Sequence, residues 1–278
     1  MAAHLFAAID VGSFELEIGI YETTSRNELR EIDHLRHVIS LGRDTYHTGK
    51  ISYHLVDEMC QVLEEFAQVM KSYQVEDYRA YATSAMREAK NSQIILEQIR
   101  VRTGIQVQVI SNSEQRFLGY KAIAMKEAEF QKIIQKGTAI ADVSFGSLQI
   151  SLFDKDSLVS TQNIQQGILR LRENLSGVWS DRQTVLGIFE DMVDNELYAF
   201  KKMYLKDRDI KNLICIGESI LYLARDEVAG KRVDRISAAD FQKFYEKLIQ
   251  MPVDQIEDRF GVNQEYAHLL IPAAIIYK

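Results

Sequence analysis

An α/β fold assembled twice, as two similar domains with mixed sheets, is predicted by two observations on this chain. First, two segments far apart share one pattern. Ala8-Ile9-Asp10-Val11-Gly12-Ser13 leads into Phe14-Glu15-Leu16-Glu17-Ile18, and Ala141-Asp142-Val143-Ser144-Phe145-Gly146-Ser147 leads into Leu148-Gln149-Ile150-Ser151. Each is an apolar run reaching an Asp, a turn of small residues, and a second alternating run, which reads as strand, tight turn, strand. Second, three such strands followed by alternating helical and strand patterns occur once in each half, the mark of a duplicated α/β unit. The chain has 278 residues, enough for two separate cores.

The elements follow in order. Strands are predicted over 5–10, 14–22 and 29–39, and 41–49 is read as an irregular loop because Gly42 and Gly49 interrupt it. Ser52 heads an amphipathic helix whose apolar stripe is Leu55, Met59, Val62, Leu63, Phe66 and Met70. A strand over 78–82 precedes a loop holding Thr83 and Ser84, then a helix over 91–103, a strand over 105–110 and a helix from about 113. The second half repeats the opening with strands over 138–142, 148–153 and 158–164. Helices over 169–175 and 182–204, a strand over 212–216 ending at Gly217, and a largely helical remainder complete it. The expected domains are 1–128 and 129–278, joined by a helix and hinge because no Pro/Gly linker intervenes, with their sheets facing an interdomain cleft. The second domain is expected to be C-terminally shortened, since the chain stops in the apolar Ile275-Ile276-Tyr277-Lys278 without a C-cap signal.

Composition excludes several classes of function. A net charge of −7 argues against nucleic acid as partner, which demands a basic face. No apolar stretch is long enough to span a membrane and no signal peptide opens the chain, so a cytoplasmic protein is expected. The two cysteines, Cys60 in a helical pattern and Cys215 in an apolar strand, read as packed thiols of a reducing compartment. An anionic substrate must then be gripped locally.

The paired turns supply that grip. Glycine lets backbone approach a ligand, and turn amides at Gly12, Ser13, Gly146 and Ser147 can cradle phosphate oxygens. Asp10 and Asp142, at the mouths of the turns, can hold a hydrated Mg²⁺. Arg87 reads as a surface cation at a helix start, while Thr83, Ser84 and Asn91 offer neutral hydrogen bonds or helix caps. Glu114 reads as a favourable first-turn charge on a helix. His34 and His37 point to opposite faces of a strand, so they do not share a metal. The basic run Lys201, Lys202, Lys206 and Arg208 reads as a solvated helix end.

In collinear order these segments resemble the family of exopolyphosphatases and guanosine pentaphosphate phosphohydrolases, within the superfamily of acetate and sugar kinases, Hsp70 chaperones and actin. Ile9-Asp10-Val11-Gly12-Ser13 is similar to the family's Asp-x-Gly-Ser-Asn-Ser turn. Ala82-Thr83-Ser84-Ala85-Met86-Arg87-Glu88-Ala89-Lys90-Asn91 follows its Ala-Thr-x-Ala-x-Arg-x-Ala-x-Asn signature at every fixed position. Ile110-Ser111-Asn112-Ser113-Glu114-Gln115 resembles Ile-Ser-Gly-x-Glu-Glu, and the stretch from Asp142 to Gln149 resembles Asp-x-Gly-Gly-Gly-Ser-Thr-Glu. Gln166-Gly167-Ile168-Leu169-Arg170-Leu171 is similar to Gly-x-x-Arg-Leu.

The resemblance implies two actin-like (ribonuclease H-like) domains and release of terminal phosphate from polyphosphate or guanosine pentaphosphate. It implies Mg²⁺ as cofactor at Asp10 and Asp142, phosphate contacts at Gly12, Ser13, Thr83, Ser84, Arg87, Asn91, Gly146 and Ser147, and water activation at Glu114 and Gln115. Polyphosphate or a guanosine polyphosphate is the implied partner, and a homodimer is left open. The departures imply an eroded site. Gln115 replaces a Glu that positions water, Phe145 replaces a glycine, Gln149 replaces a carboxylate, and Glu15 brings negative charge to the first turn. A catalytically inactive phosphate-binding relative is the alternative expectation.

Overall fold

The computed structural model describes residues 4–23, 29–126, 130–174, 182–224 and 233–278. The chain divides into two compact units, Met1–Gln115 and Arg116–Lys278.

The first unit opens on β1 (His4–Val11), β2 (Glu15–Thr23) and β3 (Leu29–Val38), an antiparallel meander. Next come α1 (Leu41–Thr48), α2 (Tyr53–Ser72), β4 (Asp77–Ala82), α3 (Ser84–Glu88), α4 (Ser92–Thr103) and β5 (Val107–Val109). The last two strands join in parallel, giving the order β3-β2-β1-β4-β5. β1 and β2 are central, and their inward residues Ile9, Val11, Leu16 and Ile18 are buried against Met59, Leu63 and Phe66 of α2. Burying each such side chain contributes about 1.5–3 kcal/mol, so this sandwich is what holds the β1–β2 turn in place. On the outer strand β3, Leu29, Ile32 and Leu35 remain exposed, as edge strands allow.

Two segments read as loops are helical. Residues 41–48 form α1, because Leu41, Gly42 and Thr45 bury one face and Gly49 adopts the left-handed conformation (φ 72°) that closes a helix. The glycine marked the end of a helix, where a loop had been expected. Residues 84–88 form α3 for a similar reason, with Ala85 and Met86 fully buried. The strand expected over 105–110 is shorter, since only Val107–Val109 pairs, with Ala80, Tyr81 and Ala82.

The second unit repeats the plan. Helix α5 (Asn112–Lys126) contains the division between units, and α6 (Phe130–Ile134) follows. The boundary expected at 128/129 lies outside the described residues. β6 (Thr138–Val143), β7 (Leu148–Asp154) and β8 (Ser157–Ile164) form the second meander. After α7 (Ile168–Asn174) and α8 (Arg182–Phe200), a π-helical turn Lys201–Leu205 carries the exposed Lys201 and Lys202. β9 (Asn212–Ile216) then adds in parallel to β6, giving β8-β7-β6-β9, the order of the first sheet without its fifth strand. The helices α9 (Glu218–Leu223), α10 (Ala238–Leu248), α11 (Val253–Phe260) and α12 (Gln264–Tyr277) complete the unit. The turn after β9 demands glycine: Gly217 has φ 127°, and a Cβ there would stand 2.3 Å from the Val143 carbonyl oxygen.

Cys60 and Cys215 are both free thiols, and burial raises the pKa of each. Among the described residues, no helix is long and apolar enough to cross a membrane.

Candidate phosphate-binding turns

The same closure recurs in the two hairpins. In the first, Gly12 N–H donates to Glu15 O at 2.9 Å; in the second, Ser144 N–H donates to Ser147 O at 3.0 Å. Each turn lies two residues beyond an aspartate. Asp10 pairs across the ladder with Glu17, and Asp142 with Gln149. By this register Phe145 occupies the position of Ser13, and Ser147 that of Glu15.

In the first unit, Ser13 and Ser84 are buried. Their hydroxyls meet at 2.9 Å, Tyr46 OH donates to Ser13 Oγ at 2.8 Å, and Ala85 N–H donates to the same oxygen at 3.2 Å. These hydroxyls therefore brace the turn from beneath. What Ser13 can offer a ligand is its backbone N–H, which has no acceptor among the described residues. Thr83 N–H extends the β1–β4 pairing by donating to Val11 O at 3.3 Å, while its half-exposed hydroxyl stays without a partner among the described residues. Arg87 Nη1 donates to Ile110 O at 2.7 Å, which fixes the guanidinium and leaves the rest of its fork available. Asn91 is structural: its amide exchanges hydrogen bonds with Ile51 N–H (3.1 Å) and Ile51 O (2.8 Å), so it pins the start of α2 and does not cap α4.

Burial pushes the Asp10 carboxyl up to about 7, with the negative charge of Glu17 adding to the effect. Although surrounded by protein, Asp10 stays accessible at its surface, and its side chain makes no hydrogen bond or ion pair among the described residues. An oxygen donor whose neutral form is favoured by burial and a like charge fits a site that a divalent cation completes. Glu15 is compensated: Arg36 Nε lies 3.4 Å from Glu15 Oε2 and 2.9 Å from Glu17 Oε1. Arg36 was not foreseen. Its place opposite Glu17 follows from the β2–β3 register. His34 and His37 part as expected, His34 toward Glu17 (3.4 Å) and His37 toward Glu58 (3.0 Å).

Glu114 and Gln115 begin α5. Ser111 N–H donates to Glu114 Oε2 at 2.8 Å and Glu114 N–H to Ser111 Oγ at 3.2 Å, a reciprocal capping box. The Ser111 backbone and hydroxyl together hold the Glu114 carboxyl below its ordinary range, which makes it a poor proton acceptor. The Gln115 Oε1 atom is buried without a hydrogen-bond partner among the described residues.

In the second unit, α7 shapes the turn. Ile168 N–H donates to Ser144 O (3.1 Å), Leu169 N–H to Phe145 O (2.9 Å), and Arg170 Nε to Gly146 O (3.1 Å). With its carbonyls taken up this way, the turn keeps its Gly146 N–H free of any acceptor among the described residues. Ser147 N–H instead reaches Ser144 Oγ at 3.3 Å. The Phe145 ring stands edge-on to Tyr266, 6.2 Å between centroids. Burial raises Asp142 to about 6, against the opposing pull of the Arg116 charge. A resident cation beside Arg116 and a neutral Gln149 fits less well than at Asp10. Neither Arg170, inside the stretch similar to Gly-x-x-Arg-Leu, nor Arg116 is marked as a site residue by sequence pattern alone.

The duplicated sheets and acid-bearing turns define an α/β protein of actin-like fold, and solved structures agree. An exopolyphosphatase from Cytophaga hutchinsonii superposes with TM-score 0.79 at 18% identity, covering 99% of this chain and 89% of that one. The Aquifex aeolicus member of the Ppx/GppA family gives TM-score 0.76 at 22% identity, with 99% and 89% covered. The profile of the Ppx/GppA phosphatase family matches residues 20–278, and the chain belongs to that family. It is similar to exopolyphosphatase 1 of Mycobacterium tuberculosis, 23% identical over 275 residues, 96% of this chain and 78% of that protein. It is also similar to guanosine-5'-triphosphate,3'-diphosphate pyrophosphatase of Vibrio parahaemolyticus, 20% identical over 224 residues, 81% of this chain and 43% of that protein.

Proposed function

We propose that the protein is a phosphoric-anhydride hydrolase that releases terminal phosphate from inorganic polyphosphate or from guanosine pentaphosphate. The single observation that carries this reading is the repeated closure of the two turns, each two residues beyond an aspartate of raised pKa. Backbone N–H groups of Ser13 and Gly146 bind phosphate oxygens, and Arg87 adds a fixed cation. Asp10 would hold hydrated Mg²⁺, which supplies charge neutralisation to the phosphate chain. Catalysis then rests on positioning and electrostatics, as phosphoryl transfer generally does. The Gln115 amide orients water but cannot take its proton. Release of phosphate from polyphosphate in the presence of Mg²⁺ tests the reading; no release from either substrate under any divalent cation overturns it.

A second reading, a phosphate-binding relative without catalysis, is favoured by the commitment of Glu114 to Ser111 and by the amide at position 115. Phosphate release by a Gln115→Glu variant alone, with none from the parent, would select it.

A further inference from the structure

Helix α5 carries Arg116 near its N-terminal end. Tyr120 OH, one helical turn beyond Arg116, bonds Ser151 Oγ at 2.5 Å, and its ring meets Phe153 edge-on at 5.4 Å. Ile123 packs into the same cluster, with Ile140 and Phe153. Residues 116, 120 and 123 share one helix face, and residues 149 and 151 share one face of β7, ahead of the irregularity between Leu152 and Phe153. The four residues back from Tyr120 to Arg116 cover about 6 Å of helix and the two back from Ser151 to Gln149 about 6.5 Å of strand, which brings Arg116 toward Gln149 as Tyr120 meets Ser151. A Cβ on Gly119 would stand 3.8 Å from Ile216, which itself pairs with Asp142, so this end of α5 lies at the turn.

Two buried polar side chains at this end of α5 and β7 lack hydrogen-bond partners among the described residues. Gln149 is 2% exposed, and neither its Nε2 nor its Oε1 has a hydrogen-bond partner among the described residues. The Arg116 Nε is buried and equally without one among them. An amide so placed is destabilising unless something fills its bonding capacity. The neighbouring turn keeps its Gly146 N–H without an acceptor among the described residues. A guanidinium, an amide N–H₂ and a backbone N–H can all donate to an oxyanion, and the Gln149 carbonyl oxygen can accept from its protonated form.

We propose that Arg116 and Gln149 bind a phosphate oxyanion directly, so that this unit takes up phosphate without a bridging divalent cation. The inference deepens the hydrolase reading, since it concerns the same turn, and it replaces Mg²⁺ by an arginine on the Asp142 side only. Its signature is separable from turnover, because it concerns binding in the absence of metal.

The test is calorimetric titration of the full chain with inorganic pyrophosphate in the presence of EDTA. Binding is expected in the parent, with a loss of about 10- to 100-fold in Arg116→Ala, as for a hydrogen bond to a charged group. Gln149→Leu is expected to lose affinity too while holding or raising the melting midpoint, because it removes a buried amide that has no partner; a merely structural role gives the reverse. Should Arg116→Ala fail to fold, Arg116→Lys and Gln149→Leu decide between the same outcomes. Binding that appears only after Mg²⁺ is added, or variants that bind as the parent does, overturn the proposal. Phosphate release is scored separately. Turnover with no metal-free binding refutes this inference alone, and metal-free binding without turnover refutes the hydrolase reading alone.

Discussion

Glu114 and Ser111 hold one another at the start of α5, the carboxylate accepting Ser111 N–H at 2.8 Å and the hydroxyl accepting Glu114 N–H at 3.2 Å. The pair occupies both groups in capping. Glu114→Ala is accordingly expected to lower the melting midpoint and to reduce phosphate release only as far as it reduces the folded fraction. The pH dependence has a definite sign. The folded-state pKa lies below the ordinary 4.5, so the stabilisation is present above that value and is lost as pH falls through the folded pKa. Thermal melts of parent and variant should therefore converge in acid; a gap that persists there, or a collapse of turnover at full folding, contradicts the assignment.

Gln115 presents the opposite case, an amide whose buried oxygen has no partner among the described residues. Installing a base in place of a water-orienting amide raises phosphate release, by about 10²–10⁴-fold if proton transfer limits the reaction. Single-turnover assays on polyphosphate with matched Mg²⁺ measure this directly. An unchanged rate in Gln115→Glu would mean that the amide position does not face the reacting water.

Ser13 Oγ receives Tyr46 OH and Ala85 N–H within 3.2 Å and sits 2.9 Å from Ser84 Oγ, all beneath the first turn. Removing it strands a buried backbone donor, so Ser13→Ala should cost about 1–3 kcal/mol in urea denaturation. Tyr46→Phe removes only one donor, leaves Ala85 N–H satisfied, and should cost less. Equal losses for the two would show that the cluster is not organised around Ser13.

The parts of this fold that were legible are those written in local pattern. Alternation through Ile9, Val11, Leu16 and Ile18 gave the central hairpin, and its echo around Asp142 gave the duplication. Helix α1 was hidden because Gly42 and Gly49 look like breakers, whereas Gly42 is buried within the helix and Gly49 ends it. Asn91 looked like a cap or phosphate contact, since nothing local reveals that its amide reaches Ile51, 40 residues away. Arg36 and Arg116 escaped notice for one reason: the first depends on strand register, the second on how α5 lies along β7. Residue types announced the turns, and only pairing geometry disclosed which charges attend them.

Asp10 makes a prediction about pH. Its carboxyl is raised from 3.8 to about 7, first by burial and then by Glu17, so the metal-free folded state binds more protons than the unfolded chain across that interval. The contribution to stability is complete below 3.8 and fades as pH rises through about 7. Asp10→Asn should flatten this part of the melting-midpoint profile in EDTA. Mg²⁺ binding runs the other way, since the cation needs the ionised carboxylate, and its affinity in the parent should climb as pH passes about 7. A profile in EDTA that is identical for parent and Asp10→Asn removes Asp10 from this account.

Gly167 tests how tightly the second turn is held. A Cβ at this position would lie 2.3 Å from both the Gly146 carbonyl carbon and the Ser147 nitrogen, all of it backbone with no flexible side chain to yield. Gly167→Ala therefore has to push the turn away from α7 or break the hydrogen bonds from Ile168 and Leu169 into it. The expected cost is about 1–3 kcal/mol, the usual range for overpacking. Because the displaced atoms include the Gly146 and Ser147 amides, pyrophosphate affinity should fall as well, even at temperatures where the variant is fully folded. Calorimetry on the folded variant separates the two effects. Parent-like affinity with reduced stability would mean that the amides of this turn do not touch phosphate, whereas a joint loss ties the close approach of Gly167 to the binding of the anion.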